Sequence, residues 1–198
     1  MSVFAIISLS CQKNIENTSQ VCCAKENSPV APVLSGSETS VYGLPGKWTD
    51  QNNNLAPLNS LEGKVQVVAM IFTHCGYACP RTIDNMKAIA SRLPANEKDK
   101  VGFVLISFDP ERDSPQQLKA YAIAKQLDNH WTLLHGSADQ IRELSLLLDL
   151  QYNQQPDGNF SHSNAITVLD KQGIIVKRLE GLTINPAEVA TAITALAY

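Results

Sequence analysis

The sequence predicts an α/β fold with a central mixed sheet flanked by helices, and three observations carry that prediction. Two nearly unbroken apolar runs, VQVVAMIF at 65–72 and VGFVLISFD at 101–109, have the pattern of strands buried on both faces. Each is followed by a segment whose apolar residues recur at helical spacing, as in βαβ units. The C-terminal part departs from this alternation, with two strands joined by a tight turn at Gly173 and then a final helix.

Taken in order, WTDQNNNLAPL at 48–58 reads as two short extended pieces around an Asn-rich turn, an N-terminal extended hairpin. The run 65–72 delivers the chain directly into Cys75. In PRTIDNMKAIASRL, Ile83, Met86, Ile89, Ala90 and Leu93 share one helical face, and Pro80 suits the first helical position, which puts Cys79 at or beside the N-cap. The strand 101–109 leads to SPQQLKAYAIAKQL, where Ser114, Pro115 and Gln117 spell a capping box. WTLL is a short strand, and SADQIRELSLLLDL opens with a second box from Ser137 and Gln140. AITVLD and IIVKRLEGL then form the hairpin across KQG, and Asn185, Pro186 and Glu188 open the last helix, NPAEVATAITALAY. Parallel units followed by a hairpin and a helix describe a thioredoxin-like sheet, with a cysteine pair where its first core strand meets its helix. No internal repeat is present.

The segment ahead of this pattern has a different character. MSVFAIISLS runs into Cys11 and resembles the end of a bacterial lipoprotein signal, although no Lys or Arg precedes it. Residues 12–40 are rich in Ser, Asn, Pro, Glu and Gln without a sustained period, which reads as a flexible tether. The expected organisation is therefore a stub and tether over 1–40 and one folded domain over 41–198. A chain of 198 residues has length for one good core, and 44% hydrophobic with 18% charged residues suits a globular protein. A net charge of −3 provides no basic field for phosphates, so no nucleic-acid partner is expected. No run approaches the roughly 18 apolar residues of a membrane-spanning helix, which leaves an N-terminal anchor as the route to a membrane. Five cysteines, with Cys22 and Cys23 adjacent, do not make an even-numbered disulfide framework.

The chemistry concentrates in THCGYACP, residues 73–80. A thiol at a helix N-terminus faces unpaired N–H groups and the positive end of the helix dipole, so its thiolate is stabilised, and Cys79 fits that position. Thioredoxin redox pairs have two intervening residues, whereas Cys75 and Cys79 have three. The wider arc still permits a disulfide if the Cα atoms come within roughly 7 Å. It also lets two thiolates point at one soft metal ion such as Cu(I), with an imidazole helping the same site hold Cu(II). Two inert structural cysteines are the plain alternative. A peroxiredoxin-type peroxidase is disfavoured, because those enzymes place Thr or Ser three residues before the attacking cysteine and Phe72 stands there.

Four histidines compete for the third-ligand role. His130 and His135 read as loop residues between helix and strand. His74 touches Cys75 in sequence but, if strand alternation continues, points the other way, as a supporting residue behind the ligands. His162, in FSHSNAITVLD, precedes the first strand of the terminal hairpin, at the turn where thioredoxins keep a cis-proline facing the cysteine loop. The preceding polar loop, with Pro156 and Gly158, has the composition of a segment that can swing. DPERD is explained by turn and capping chemistry, with Asp109 ending a strand and Asp113 preceding a capped helix.

Together, FTHCGYACP at 72–80, SFDPERDSP at 107–115 and FSHSNAITVLDKQG at 160–173 resemble the SCO/SenC family, thioredoxin-fold copper chaperones of cytochrome c oxidase assembly. The resemblance covers about residues 41–198. It implies that Cys75, Cys79 and His162 ligate a copper ion, Cu(I) or Cu(II), and that Asp109 and Asp113 border the site and face the partner. It further implies delivery to a copper-accepting subunit of a terminal oxidase, a thiol reductant protein as a second partner, and a bacterial cell-envelope location on the periplasmic face, lipid-anchored where Cys11 is acylated. The alternative is a thiol-disulfide oxidoreductase in which one cysteine attacks a partner disulfide and the other resolves the mixed intermediate.

Overall fold

A six-stranded mixed sheet organises the computed structural model, which describes residues 39–197. The strands are β1 (Thr49–Asp50), β2 (Val65–Ile71), β3 (Val101–Ser107), β4 (Trp131–His135), β7 (Ala165–Leu169) and β8 (Ile175–Glu180), and their order across the sheet is β1-β4-β3-β2-β7-β8. A separate two-stranded ribbon pairs β5 (Tyr152–Gln154) with β6 (Phe160–His162). The helices are α1 (Ala78–Ala90), α2 (Pro115–Ala124), α3 (Ala138–Leu147) and α4 (Pro186–Ala197). Cys11, Cys22, Cys23 and the expected tether up to residue 38 lie outside the described residues, while Ser40, expected at the tether's end, is bonded into the domain, its Oγ accepting the Tyr42 N–H and donating to the Gln172 carbonyl.

Strands β2, β3 and β4 run parallel, while β7 is antiparallel to β2 and β8 to β7, which makes the sheet mixed. All seven residues of β2 and all five of β7 are buried, as their lack of alternation requires. Edge strand β8 alternates instead, with half-buried Ile175 and Leu179 facing the core. Helices α1 and α4 pack on each other and on β2, and Ile83, Met86, Ile89, Val189 and Ile193 are each at most 1% exposed. The turn at Gly173 has φ +81°, and a Cβ there would come within 2.5 Å of the Tyr42 ring, so glycine is required twice over.

The expected N-terminal hairpin is short: one antiparallel bridge joins Thr49 to Leu55 around a turn capped by the Asp50 carboxylate. β1 instead joins the sheet beyond β4. The box on α3 forms in both directions, Ser137 Oγ accepting from the Gln140 amide and Gln140 Oε1 from the Ser137 amide. The box on α2 is only half made. Ser114 Oγ accepts from the Gln117 N–H at 3.3 Å, but the Gln117 side chain reaches away to donate to Thr73 Oγ1 at 3.2 Å. A capping residue has been drawn into the cysteine loop.

Candidate metal centre

Helix α1 begins two residues earlier than Pro80 suggests. Tyr77 is the N-cap, so Cys79 lies within the first turn and Pro80 is the third helical residue, where its missing N–H costs no intrahelical bond. This shift reverses the expected roles of the thiols. The Sγ of Cys75, ahead of the helix, accepts the Cys79 N–H at 3.3 Å. Partial burial raises the Cys75 thiol, but hydrogen bonds from the N–H groups of Cys79, Tyr77 and Ala78 outweigh it and hold the thiol below its ordinary value. Cys79 is 1% exposed, and burial pushes its thiol far up despite a backbone hydrogen bond at Phe72, with the Cys75 charge adding to the rise. The helix terminus therefore activates the first cysteine rather than the second. Both are free thiols.

His162 closes the set. It ends β6 rather than lying in an irregular loop, because Phe160–His162 pairs antiparallel with Tyr152–Gln154, His162 opposite Tyr152. Phe160 and His162 share the inner face. Phe160 packs against Phe72 and Phe108 with ring centroids 5.3 and 5.1 Å away, and the His162 ring lies 5.0 Å from Phe108. His162 Nδ1 is 3.0 Å from the Ser163 carbonyl, which can only accept, so the tautomer that fits this contact carries its proton on Nδ1 and offers the Nε2 lone pair. That Nε2 lies 3.9 Å from Cys79 Sγ. The two thiol sulfurs and a His162 ring nitrogen all fall within 4.8 Å of one another, close enough for small side-chain adjustments to bring them onto one ion. Cys75 and His162 are half-buried, so the cluster opens to solvent on one side.

The other candidate residues fall beside this cluster. His74 is half-exposed, 3.2 Å from Thr73 Oγ1 and 3.9 Å from Asp113 Oδ1. It groups with Asp109 and Asp113, not with the thiols. The Asp113 carboxylate is buried and accepts from the Thr73 N–H at 2.9 Å, the Thr73 hydroxyl at 2.5 Å and the Ser107 hydroxyl at 2.6 Å. Those three bonds staple the start of the cysteine loop to the end of β3. Asp109 is also buried and pairs with Arg112. His135 ends β4 with Nδ1 3.1 Å from the Asp113 carbonyl, and His130 is near Asp99 on the surface. Thr73, Arg112 and the ring cluster of Phe72, Phe108, Tyr152 and Phe160 were not singled out by sequence reasoning. The available signals were the arginine between two aspartates in DPERD and Phe160 two positions before His162.

The chain is similar to a Stutzerimonas stutzeri protein named for copper binding, 31% identical over 128 residues, which covers 63% of this chain and 62% of that relative's length. It also resembles a solved SCO1/SenC family lipoprotein from Bacillus anthracis, with a TM-score of 0.70 and 29% identity over 79% of this chain and 96% of that one. Copper-bound ScoI from Bradyrhizobium japonicum gives a TM-score of 0.66 and 27% identity over 77% and 97% of the two chains. These likenesses share the thioredoxin-like arrangement of a mixed sheet with flanking helices. The family model described as SCO1/SenC matches residues 36–198, and the chain belongs to that family.

Proposed function

We propose that this protein is a copper chaperone of the bacterial cell envelope, carrying one copper ion on Cys75, Cys79 and His162 to the dinuclear copper centre of a terminal oxidase. The observation that carries this reading is the convergence of two thiols and an imidazole nitrogen within 4.8 Å, on elements from distant parts of the chain. Copper is cargo here. Thiolates suit Cu(I), the imidazole extends the set to Cu(II), and binding releases the thiol protons to solvent. The open side of the cluster lets thiolates of an accepting subunit enter and displace the ligands one at a time. The copper-bound relative supports the choice of metal, and the lipoprotein relative supports the envelope location, with Cys11 as the acylation point and residues 41–198 as the working domain.

The lowered thiol of Cys75 favours a second activity at the same place. As thiolate, Cys75 attacks a partner disulfide and expels one partner sulfur, and Cys79 then displaces the second, leaving the partner reduced and this pair oxidised. A thiol reductant protein would restore the pair, and copper loading requires that restored state.

Copper titration of the reduced protein tests the ligand set. His162→Ala is expected to retain Cu(I) on its thiolates and to lose at least about tenfold in Cu(II) affinity, roughly 1.4 kcal/mol, with an altered absorption spectrum. Unchanged Cu(II) stoichiometry, affinity and spectrum would overturn the three-ligand reading and favour the reductase.

A further inference from the structure

Among the described residues the ribbon that carries His162 is paired with no other strand, and each of its strands has three residues. A two-stranded ribbon of that size is marginal by itself. Its inner rings fix the base against Phe72 and Phe108, but its tip, residues 155–159, projects past them and beside a cleft of about 160 Å³ between the ribbon and the 108–111 segment. Among the described residues, the side chain that reaches the tip from outside the ribbon is Arg112. Arg112 donates from Nε to Asp109 Oδ2 at 2.5 Å and from Nη2 to the Gly158 carbonyl, and its guanidinium carbon lies 5.8 Å from the Phe160 ring centroid.

The geometry points to Arg112 as the positioning residue that holds His162 against the thiols. The inference rests on the reading of His162 as a copper ligand. The guanidinium grips two acceptors on different elements, and the near one is itself immobile. Asp109 is 2% exposed, its N–H donates to Ser107 Oγ at 3.0 Å, and its carbonyl accepts the Asp113 N–H at 2.9 Å. Asp113 in turn grips Thr73 at the start of the cysteine loop. A continuous path therefore runs from the cysteine loop through Asp113 and the 109–113 turn to Arg112, the Gly158 carbonyl, β6 and His162. Lysine cannot replace it, because one ammonium lacks the rigid fork that spans both acceptors. The latch also gives the two buried aspartates a task other than ligation: they register one half of the donor set to the other. With the latch released, the ribbon loosens from its tip toward His162, which weakens the hold on the imidazole while both thiolates keep the ion.

Two readouts on the full chain test this, one without metal. In the metal-free protein, amides of residues 153–163 should exchange with solvent about tenfold faster in Arg112→Ala than in the parent, with amides of β2 and β3 unchanged. Arg112→Lys should behave like the alanine variant. With copper, Arg112→Ala should weaken Cu(II) about tenfold and Cu(I) less than about twofold, and should add nothing in a His162→Ala background. Unchanged ribbon exchange, rescue by Arg112→Lys, or an equal Cu(II) loss in the His162→Ala background would overturn the latch. If His162→Ala binds Cu(II) as the parent does while the ribbon still loosens in Arg112→Ala, the latch stands and the copper reading alone falls.

Discussion

The thiols and the histidine stand on foundations of very different strength. Cys75 and Cys79 leave the end of β2, a strand buried along its whole length and paired on both sides, and Cys79 is built into the first turn of α1. Thr73, just ahead of Cys75, makes two hydrogen bonds to the fully buried Asp113 carboxylate, which a third bond from Ser107 ties to β3. His162 ends a three-residue strand in a sheet of two, held by ring contacts and one arginine. The difference assigns the tasks. On the proposed copper reading, an anchored thiolate pair would provide the standing affinity, whereas an imidazole on a peripheral ribbon would contribute a bond that can be made and broken without disturbing the core.

The largest expected effect comes from breaking the anchored side. Asp113→Ala removes the acceptor of three hydrogen bonds, so the Thr73 N–H and the donor protons of the Thr73 and Ser107 hydroxyls lose their acceptor, which should cost about 3 kcal/mol in denaturant unfolding. A loss below about 1 kcal/mol would show that the cysteine loop is no better anchored than the ribbon. Next in size is the asymmetry within the pair. Iodoacetamide on the reduced, metal-free protein should modify half-buried Cys75 at least about tenfold faster than buried Cys79. Because the Cys75 thiol lies below its ordinary value, that rate should rise with pH and level off earlier than for a free cysteine. Faster modification of Cys79, read by peptide mapping, would mean that the second thiol is the activated one after all.

The smallest effect sharpens the anchored side. Tyr121 on α2 is 8% exposed, and its hydroxyl is buried with no hydrogen-bond partner among the described residues. Burial pushes its phenol well up, with the negative charge of a Cys79 thiolate adding to the rise. Tyr121→Phe removes an unsatisfied polar group at nearly constant volume and should stabilise the fold by about 1 kcal/mol while leaving the thiol reactivities unchanged. Destabilisation by a similar amount would reveal a partner for that hydroxyl.

Much of this protein was legible in one dimension. Buried strands announce themselves by unbroken apolar runs, and the helix following Cys79 by its spacing, because both signals are local and repeat along the chain. The hairpin at Gly173 was equally plain. The ribbon was less so, since YNQ and FSH are too short and too polar for alternation to stand out, and only the rings at Tyr152 and Phe160 mark an inner face. Gln117 illustrates a different failure. Its position three residues after Ser114 satisfies the capping pattern, yet a competing acceptor at Thr73, far away in the chain, captures the side chain.

By itself the sequence determined the sheet, its helices, and the placement of a spaced cysteine pair at a strand-to-helix junction, because backbone periodicity and turn chemistry act over a few residues. Which thiol the helix terminus activates was a tertiary decision: it depends on a start point two residues earlier than the proline suggests and on how deeply Cys79 is buried. The placement of His162 beside the thiols, the staple from Asp113 to Thr73 and the reach of Arg112 to Gly158 are tertiary as well. Each joins residues forty or more positions apart. Such contacts leave no periodic trace in the chain, because only the packing of one element on another brings their atoms within bonding distance.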